Sequence, residues 1–355
     1  MRGSLGYIPV EDSMKTAAIV NEILQSIGSL TTPWKRYWGI FMMVSNLIIY
    51  KDLITNNSDK TLESHVVQKL QDFGVLPRHV KCPSAKPDCH IVSKSARVID
   101  RVQWVCEGCG KRLPIRTGSF FLRLQCSILQ ALQIILAWCD DVEPEFAAQH
   151  FGVKPRVASM ICDRLDELAV KEQGKSKLGG DGSVVVTELY PDCLTRLSPD
   201  TTDRPHVHRI LMLADTKHVP TQYQLHVIRD DLKKSSANID DQMLAKEVEE
   251  ALQRMTEPDS MLVTGNNVPP VEGASTLQQL TQYCDVDMQH FLSSRIWRQA
   301  LTLCVESRDL CSGCDRSVCA GAVQRYLMTS LFRFRHADDL FRSVLGYLAA
   351  EYTDH

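Results

Sequence analysis

The chain has 355 residues, of which 44% are hydrophobic and 23% are charged, a composition that is ordinary for a soluble globular protein. This length predicts two or three domains with sizeable cores. The formal net charge of -3 excludes a general attraction to nucleic acid, so any DNA-binding surface has to be a local one.

Cysteine is abundant, with 13 residues in the chain. Because the start of the sequence lacks the charged n-region, apolar h-region and cleavage site of a secretory signal, we expect an intracellular, reducing setting with buried or metal-bound thiols. The most apolar early run, residues 38–50, is interrupted by Ser45 and Asn46 and falls short of the ~20 residues of a membrane helix. We therefore expect no membrane association.

Region 1–78 is predicted to be helical. Apolar residues recur with a helical period over residues 12–31 and again over 34–50, and a turn cluster follows at 56–59. A third helix is predicted from Leu62 to Phe73, ending at Gly74, where a C-cap glycine is expected.

Region 79–125 carries two cysteine pairs, Cys82/Cys89 and Cys106/Cys109, in a segment too polar to fold on apolar burial alone. Four thiolates complete a closed tetrahedral zinc site, and the Cys-x-x-Cys spacing is typical of a metal knuckle. The spacing of the first pair is longer, so His90 is an alternative to Cys89 as ligand. We predict a structural zinc ribbon with short strands at residues 104–105 and 113–121; four reduced cysteines are the alternative.

Region 126–172 is predicted to contain helices. A helix from residue 127, a short helix over 144–151, a turn at 152–154 and a longer helix over 155–170 outline a helix-turn-helix, although an ordinary helical hairpin has the same pattern. Basic residues stand near the second knuckle and at the start of the candidate recognition helix, where they would meet phosphates or base edges. These candidate nucleic-acid contacts are Lys111, Arg112, Arg116, Arg123, Lys154 and Arg156.

The remainder of the chain is read as a linker, residues 173–182, followed by a core domain, residues 183–355. Three successive strands predict a meander at one edge of a mixed sheet, and a helix and a short strand follow. Residues 276–352 are predicted to be mainly helical. The predicted strands cover 183–189, 207–214, 222–228 and 260–264, and the helix covers 233–255.

Several ordered phrases from about residue 62 to the C-terminus resemble a Merlin-type DDE transposase, a eukaryotic relative of small bacterial insertion-sequence transposases. The phrases are FGVLP before the first cysteine, W-x-C-x2-C, RTGSFF at 116–121, the helix-turn-helix outline, GSVVVTEL and the closing LFRFRHADDLFRSVL. The resemblance implies an α+β multi-domain protein. N-terminal helices, a zinc ribbon and a helix-turn-helix would precede an RNase H-like α/β core with a helical C-terminus.

Such a core performs strand transfer with two divalent metal ions held by two Asp and one Glu. The matching positions hold Thr187, Gly265 and Ser294, the last identified from Trp297 three residues on. Glu188 is adjacent to the first position, but neighbouring side chains on a strand point to opposite faces, so we expect it to point away from the site. Four other acids would suit a rearranged site: Asp181, Asp215, Asp259 and Asp285. We expect an inactive core that binds no catalytic Mg²⁺.

A second cysteine group departs from the transposase pattern. Cys304, Cys311, Cys314 and Cys319 include a Cys-Ser-Gly-Cys knuckle and are a candidate second zinc site; reduced thiols on helices beside a loop are the alternative.

The leading hypothesis is a catalytically inactive, host-retained transposase relative that binds DNA or chromatin in the nucleus, with protein partners and homo-oligomerisation also expected. The first alternative is a protein-interaction scaffold of a nuclear complex, which the slightly acidic balance favours. The second is an active metal-dependent DDE transposase or nuclease. Other enzyme classes are less consistent with the sequence, which lacks a phosphate-binding glycine loop, a G-x-S-x-G elbow and an HExxH helix.

Overall fold

The computed structural model describes residues 45–55, 61–180, 182–193, 206–218, 221–229, 237–311 and 316–353. The predicted helix over 12–31, and the predicted helix over 34–50 as far as residue 44, lie outside these ranges. The chain divides into two compact units: unit 1 comprises residues 1–165 and 336–355, and unit 2 comprises residues 166–335.

Unit 1 combines helices with a small sheet. The three strands are antiparallel in the order β1-β2-β3, and the first of them was not predicted from the sequence. The elements are α1 (residues 45–54), α2 (Leu62–Asp72), β1 (Ile91–Ser95), β2 (Val102–Cys106), β3 (Arg112–Pro114), α3 (Ile128–Cys139), α4 (Pro144–Phe151), α5 (Pro155–Gly174, in unit 1 as far as Leu165) and α11 (Leu340–Thr353).

Local sequence explains where these helices begin and end. The side chain of Thr61 accepts a hydrogen bond from the backbone N–H of Ser64 and caps α2, while Gly74 takes the left-handed conformation (φ 81°) just after it. Ser127 and Gln130 form a reciprocal capping box at the start of α3. The predicted helices over 62–73 and from residue 127 are thus present.

Unit 2 is built on a five-stranded mixed sheet in the order β6-β5-β4-β7-β8. Strands β4, β5 and β6 form an antiparallel meander, β7 is parallel to β4, and β8 is parallel to β7. The predicted meander at the edge of a mixed sheet is confirmed. The strands are β4 (Val184–Tyr190), β5 (Ile210–Asp215), β6 (Gln222–Val227), β7 (Met261–Thr264) and β8 (Ser275–Thr276).

Helical segments cover both faces of this sheet. Val186 and Tyr190 of β4 belong to a core that includes Trp297, whereas Val185 and Leu189 point to the opposite face. Val248, Ala251 and Leu252 of α6 pack on that opposite face. The helices of unit 2 are α6 (Ala237–Met255), α7 (Leu277–Thr281), α8 (Val286–His290), a π-helical turn (Phe291–Arg295), α9 (Arg298–Glu306), a 3₁₀ turn (Ser307–Cys311) and α10 (Arg316–Arg335).

The predicted linker over 173–182 is packed structure. Leu178 is fully buried and its N–H donates to the carbonyl of Met255, and the N–H of Gly179 donates to the carboxylate of Asp215. A side chain at position 179 would overlap Ser260, so glycine there reflects close packing rather than flexibility. The predicted core of 183–355 also differs from the structure, because residues 336–355 belong to unit 1.

None of the helices in the described ranges has the length and apolar character required to cross a membrane.

Candidate functional site

The two cysteine pairs of region 79–125 converge on one point. The sulfurs of Cys82, Cys89, Cys106 and Cys109 all lie within 4.8 Å of one another, and the Sγ atoms of Cys82 and Cys109 are 3.5 Å apart. A tetrahedral zinc with Zn–S bonds of about 2.3 Å places its sulfurs roughly 3.8 Å apart. The arrangement can therefore hold a metal ion such as zinc. His90 is exposed and outside this group, so Cys89 rather than His90 supplies the ligand atom.

The backbone of the second knuckle explains its glycines. The N–H of Cys106 donates to the carbonyl of Lys111, and the N–H of Gly110, which has a φ of 71°, donates back to Cys106. Gly108 lies against the first knuckle so closely that an added Cβ would be 2.0 Å from the carbonyl oxygen of Asp88. Only glycine permits this approach, and it brings the two cysteine pairs together.

The polar groups around the cluster favour the thiolate form of two of the cysteines. Hydrogen bonds from the side chain of Ser84 and the backbone of Lys111 lower the pKa of Cys109 to about 6. A backbone hydrogen bond from Ser84 lowers the pKa of Cys82, whereas burial raises the pKa of Cys89 to about 12. Metal binding requires deprotonated sulfur, and the fold already favours that form at Cys82 and Cys109.

Arg116 is buried within the ribbon, with only 5% of the residue exposed, and it pairs with the equally buried Asp100. Its guanidinium donates to both carboxylate oxygens of Asp100 and to the carbonyls of Leu124 and Cys126. The Asp100 carboxylate also accepts from the N–H of Ile128. Arg116 therefore stabilises the RTGSFF turn, and the prediction that it contacts nucleic acid is wrong.

The other predicted basic contacts are exposed. None of them forms an ion pair with a residue in the described ranges, so their charge is available at the surface. They are Lys111, Arg112, Arg123, Lys154 and Arg156.

Helices α4 and α5 are joined by the predicted short turn. Gly152 has a φ of 64° and ends α4, and the N–H of Val153 donates to Ala148. Lys154 and Arg156 lie at the exposed N-terminal end of α5, where the helix dipole also favours an anion. The helices of the predicted helix-turn-helix are present.

Thr187, which the resemblance matches to a catalytic acid, lies next to Glu188 on β4. Thr187 is fully buried, and its Oγ1 lies 3.4 Å from the carbonyl oxygen of Val263. It is on the same face of β4 as Val185 and Leu189, which is the face covered by α6. Glu188 lies between Val186 and Tyr190 on the other face of β4, which is the face that carries Trp297. The expectation that Thr187 and Glu188 point to opposite faces is met, and Glu188 is the one that lies on the face carrying Trp297.

The carboxyl group of Glu188 occupies the space next to Gly265. A Cβ at position 265 would be 2.0 Å from the Glu188 Cδ, so the missing side chain after β7 makes room for this carboxyl. Glu188 Oε2 is buried and has no hydrogen-bond partner among the described residues. Burial raises the pKa of Glu188 to about 7.

The remaining candidate acids do not join Glu188. Asp215 lies at the opposite end of the sheet, beside Val185, where its carboxylate accepts from the N–H groups of Gly179 and Lys217. Asp259 is exposed, and Asp285 caps α8. Asp181 and the side chain of Ser294 lie outside the described part of the chain.

The second cysteine group differs from the prediction. Cys304 is fully buried, with its sulfur 3.9 Å from that of Met212, and is not part of the cluster. Cys311 and Cys319 are joined by a disulfide, and a ring nitrogen of His208 lies within 4.8 Å of both sulfurs. Cys314 lies outside the described residues. Sequence spacing could not reveal His208, because more than 100 residues separate it from Cys311 along the chain.

No known protein family matches the chain, and no curated protein matches it either. The resemblance to transposases rests on short sequence phrases alone.

Proposed function

We propose that the protein is a transposase-derived DNA- or chromatin-binding protein of the nucleus that lacks strand-transfer activity and uses Zn²⁺ as a structural cofactor. The observation that carries this proposal is the set of exposed basic side chains without acidic partners in the described ranges. Three follow the second knuckle along the chain (Lys111, Arg112 and Arg123), and two lie at the start of α5 (Lys154 and Arg156). Phosphate contacts need such local charge, whatever the net charge of the chain.

The sheet of unit 2 supports descent from a transposase core. A meander followed by parallel strands is compatible with the RNase H-like core that the resemblance implies. In this sheet the carboxyl group of Glu188 lies beside Gly265. Two clusters of three or more metal-ligating groups occur in the described residues, and Glu188 belongs to neither. Two-metal chemistry requires several convergent carboxylates, and the positions that the resemblance matches to two of them hold Thr187 and Gly265.

Duplex binding measured against salt concentration tests the proposal. Each of Arg112→Gln and Lys154→Gln should weaken binding and should lower the slope of log K against log salt by about 1, the change expected when one phosphate is no longer neutralised. Lys246→Gln is the matched control, because Lys246 is exposed on α6 of unit 2 and faces Glu250. Wild-type protein that shows no salt-sensitive binding to any duplex would refute the proposal.

A scaffold role is the second candidate, and exposed apolar residues favour it. Tyr283 is 89% exposed and Val286 79% exposed, and Met288 follows on the same short segment. If this role is correct, Tyr283→Ser should reduce association in sedimentation experiments, and Arg112→Gln should leave it unchanged.

Activity of the core is tested separately with Mg²⁺ or Mn²⁺ and a plasmid substrate. The proposal predicts no metal-dependent nicking. Nicking that disappears in Glu188→Gln would instead establish an active nuclease.

A further inference from the structure

We propose that His208, Cys311 and Cys319 form a second metal site, in unit 2, that takes zinc when the two cysteines are reduced. Their ligand atoms all lie within 4.8 Å of one another. Tetrahedral zinc with bonds of about 2.0 Å to nitrogen and 2.3 Å to sulfur requires separations of roughly 3.5 to 3.8 Å, which are reached by small side-chain movements. The site is independent of the DNA-binding role proposed above.

Three separate elements deliver the ligands. His208 precedes β5, Cys311 ends the 3₁₀ turn that begins at Ser307, and Cys319 lies near the start of α10. A ligand set drawn from such distant parts of the chain is assembled only by the folded unit. A metal bound there would therefore connect the segment before β5 with the helical segments that cover one face of the sheet.

A hydrogen-bonded chain fixes the first two of these elements. The N–H of His208 donates to His206 Nδ1 over 3.0 Å, and His206 Nε2 lies 3.1 Å from Ser307 Oγ. The hydroxyl of Ser307 donates in turn to the carbonyl of Cys304 over 2.8 Å. His206 Nδ1 also lies 2.9 Å from the carbonyl oxygen of His208, so the ring contacts the backbone of His208 on one side and the hydroxyl of Ser307 on the other. His206 is thus a positioning residue that holds the backbone of His208 to the turn that leads to Cys311.

Burial and ligand chemistry point to zinc. His208 is 4% exposed and Cys319 2% exposed, so water competes weakly for the metal. Imidazole nitrogen and thiolate sulfur are the ligands that zinc prefers, whereas magnesium and calcium prefer oxygen. Three protein ligands leave one coordination position for a further donor.

The disulfide between Cys311 and Cys319 uses the same two sulfurs, so disulfide and metal exclude each other. A thiol or phosphine reductant breaks the S–S bond by supplying two electrons, and two protons from solvent complete the thiols. Both thiols then release their protons when zinc binds. Reducing conditions therefore favour the metal-bound form.

Zinc content per chain tests the proposal. Full-length protein purified in phosphine reductant with added Zn²⁺ should hold two zinc ions by native mass spectrometry, one in each cysteine site. Cys319→Ser and His208→Ala should each hold one. Cys304→Ala is the matched control and should keep two, because Cys304 lies outside the cluster. Circular dichroism checks that each variant is folded.

His208→Cys separates a ligand role from a structural one, because it restores a donor but not an imidazole. We expect it to regain the second ion. With cobalt in place of zinc, its sulfur-to-metal charge-transfer absorption should exceed that of the wild type, since one more thiolate binds the metal. Retention of two ions by His208→Ala would overturn the proposal. It would equally be overturned if reduced wild-type protein held a single ion that His208→Ala also kept. A wild-type mass two hydrogens lower under reductant, which shows a persistent disulfide, would overturn it as well.

Discussion

Replacing Glu188 by Gln should make the stability of unit 2 less dependent on pH. The carboxyl is buried against Gly265, which raises its pKa from 4.5 to about 7 in the folded state. Between these values the unfolded chain loses the proton while the folded chain retains it, so stability falls as pH rises. The full loss above pH 7 is about 3 kcal/mol, from 1.36 kcal/mol for each pH unit between the two pKa values.

Urea denaturation followed by circular dichroism from about pH 5.5 to 8 measures this effect. Over that range the wild-type protein should lose about 2 kcal/mol through Glu188, a loss absent from Glu188→Gln. Glu249→Gln is the matched control, because Glu249 is exposed on α6 and its replacement should leave the wild-type pH dependence intact. A difference between wild type and Glu188→Gln that stayed constant with pH would refute the reasoning.

Two further substitutions test the ribbon. Arg116→Ala leaves Asp100 buried without its cation and should lower the free energy of unfolding of unit 1 by about 3–5 kcal/mol, measured by urea denaturation; a cost below about 1 kcal/mol would contradict the structural role of the pair. Gly108→Ala forces a methyl group against the carbonyl of Asp88 and should weaken zinc binding in a chelator competition. Unchanged affinity would show that the two knuckles are not in the close contact described.

Local signals in the sequence were sufficient for much of the secondary structure. The Cys-x-x-Cys knuckle, the glycine after α2 and the strand segments of the β4–β6 meander depend on neighbours within a few residues, and the structure agrees with each of them. The glycines at 179 and 180 were misread as linker signals. Glycine is also required where a neighbouring group leaves no room for a Cβ, and position 179, which lies against the Ser260 side chain, is such a case.

The surroundings of Arg116 and Glu188 could not be predicted, because a single sequence does not show burial. An arginine beside a zinc knuckle has the same sequence pattern whether it contacts a phosphate or a buried aspartate, and only the folded ribbon shows that Arg116 pairs with Asp100. Which element a strand residue faces depends on what packs against each side of the sheet. Alternation therefore predicted that Thr187 and Glu188 point apart but could not say which of them faces Trp297.

The amino-acid sequence by itself determined the four-cysteine cluster, the short turn between α4 and α5, and the meander, because each depends on residue spacing along a continuous segment. Tertiary structure alone decided that Glu188 lies beside Gly265 and that His208 meets Cys311 and Cys319. Those contacts join residues far apart in the chain, and their partners are selected by strand register and helix packing rather than by local pattern.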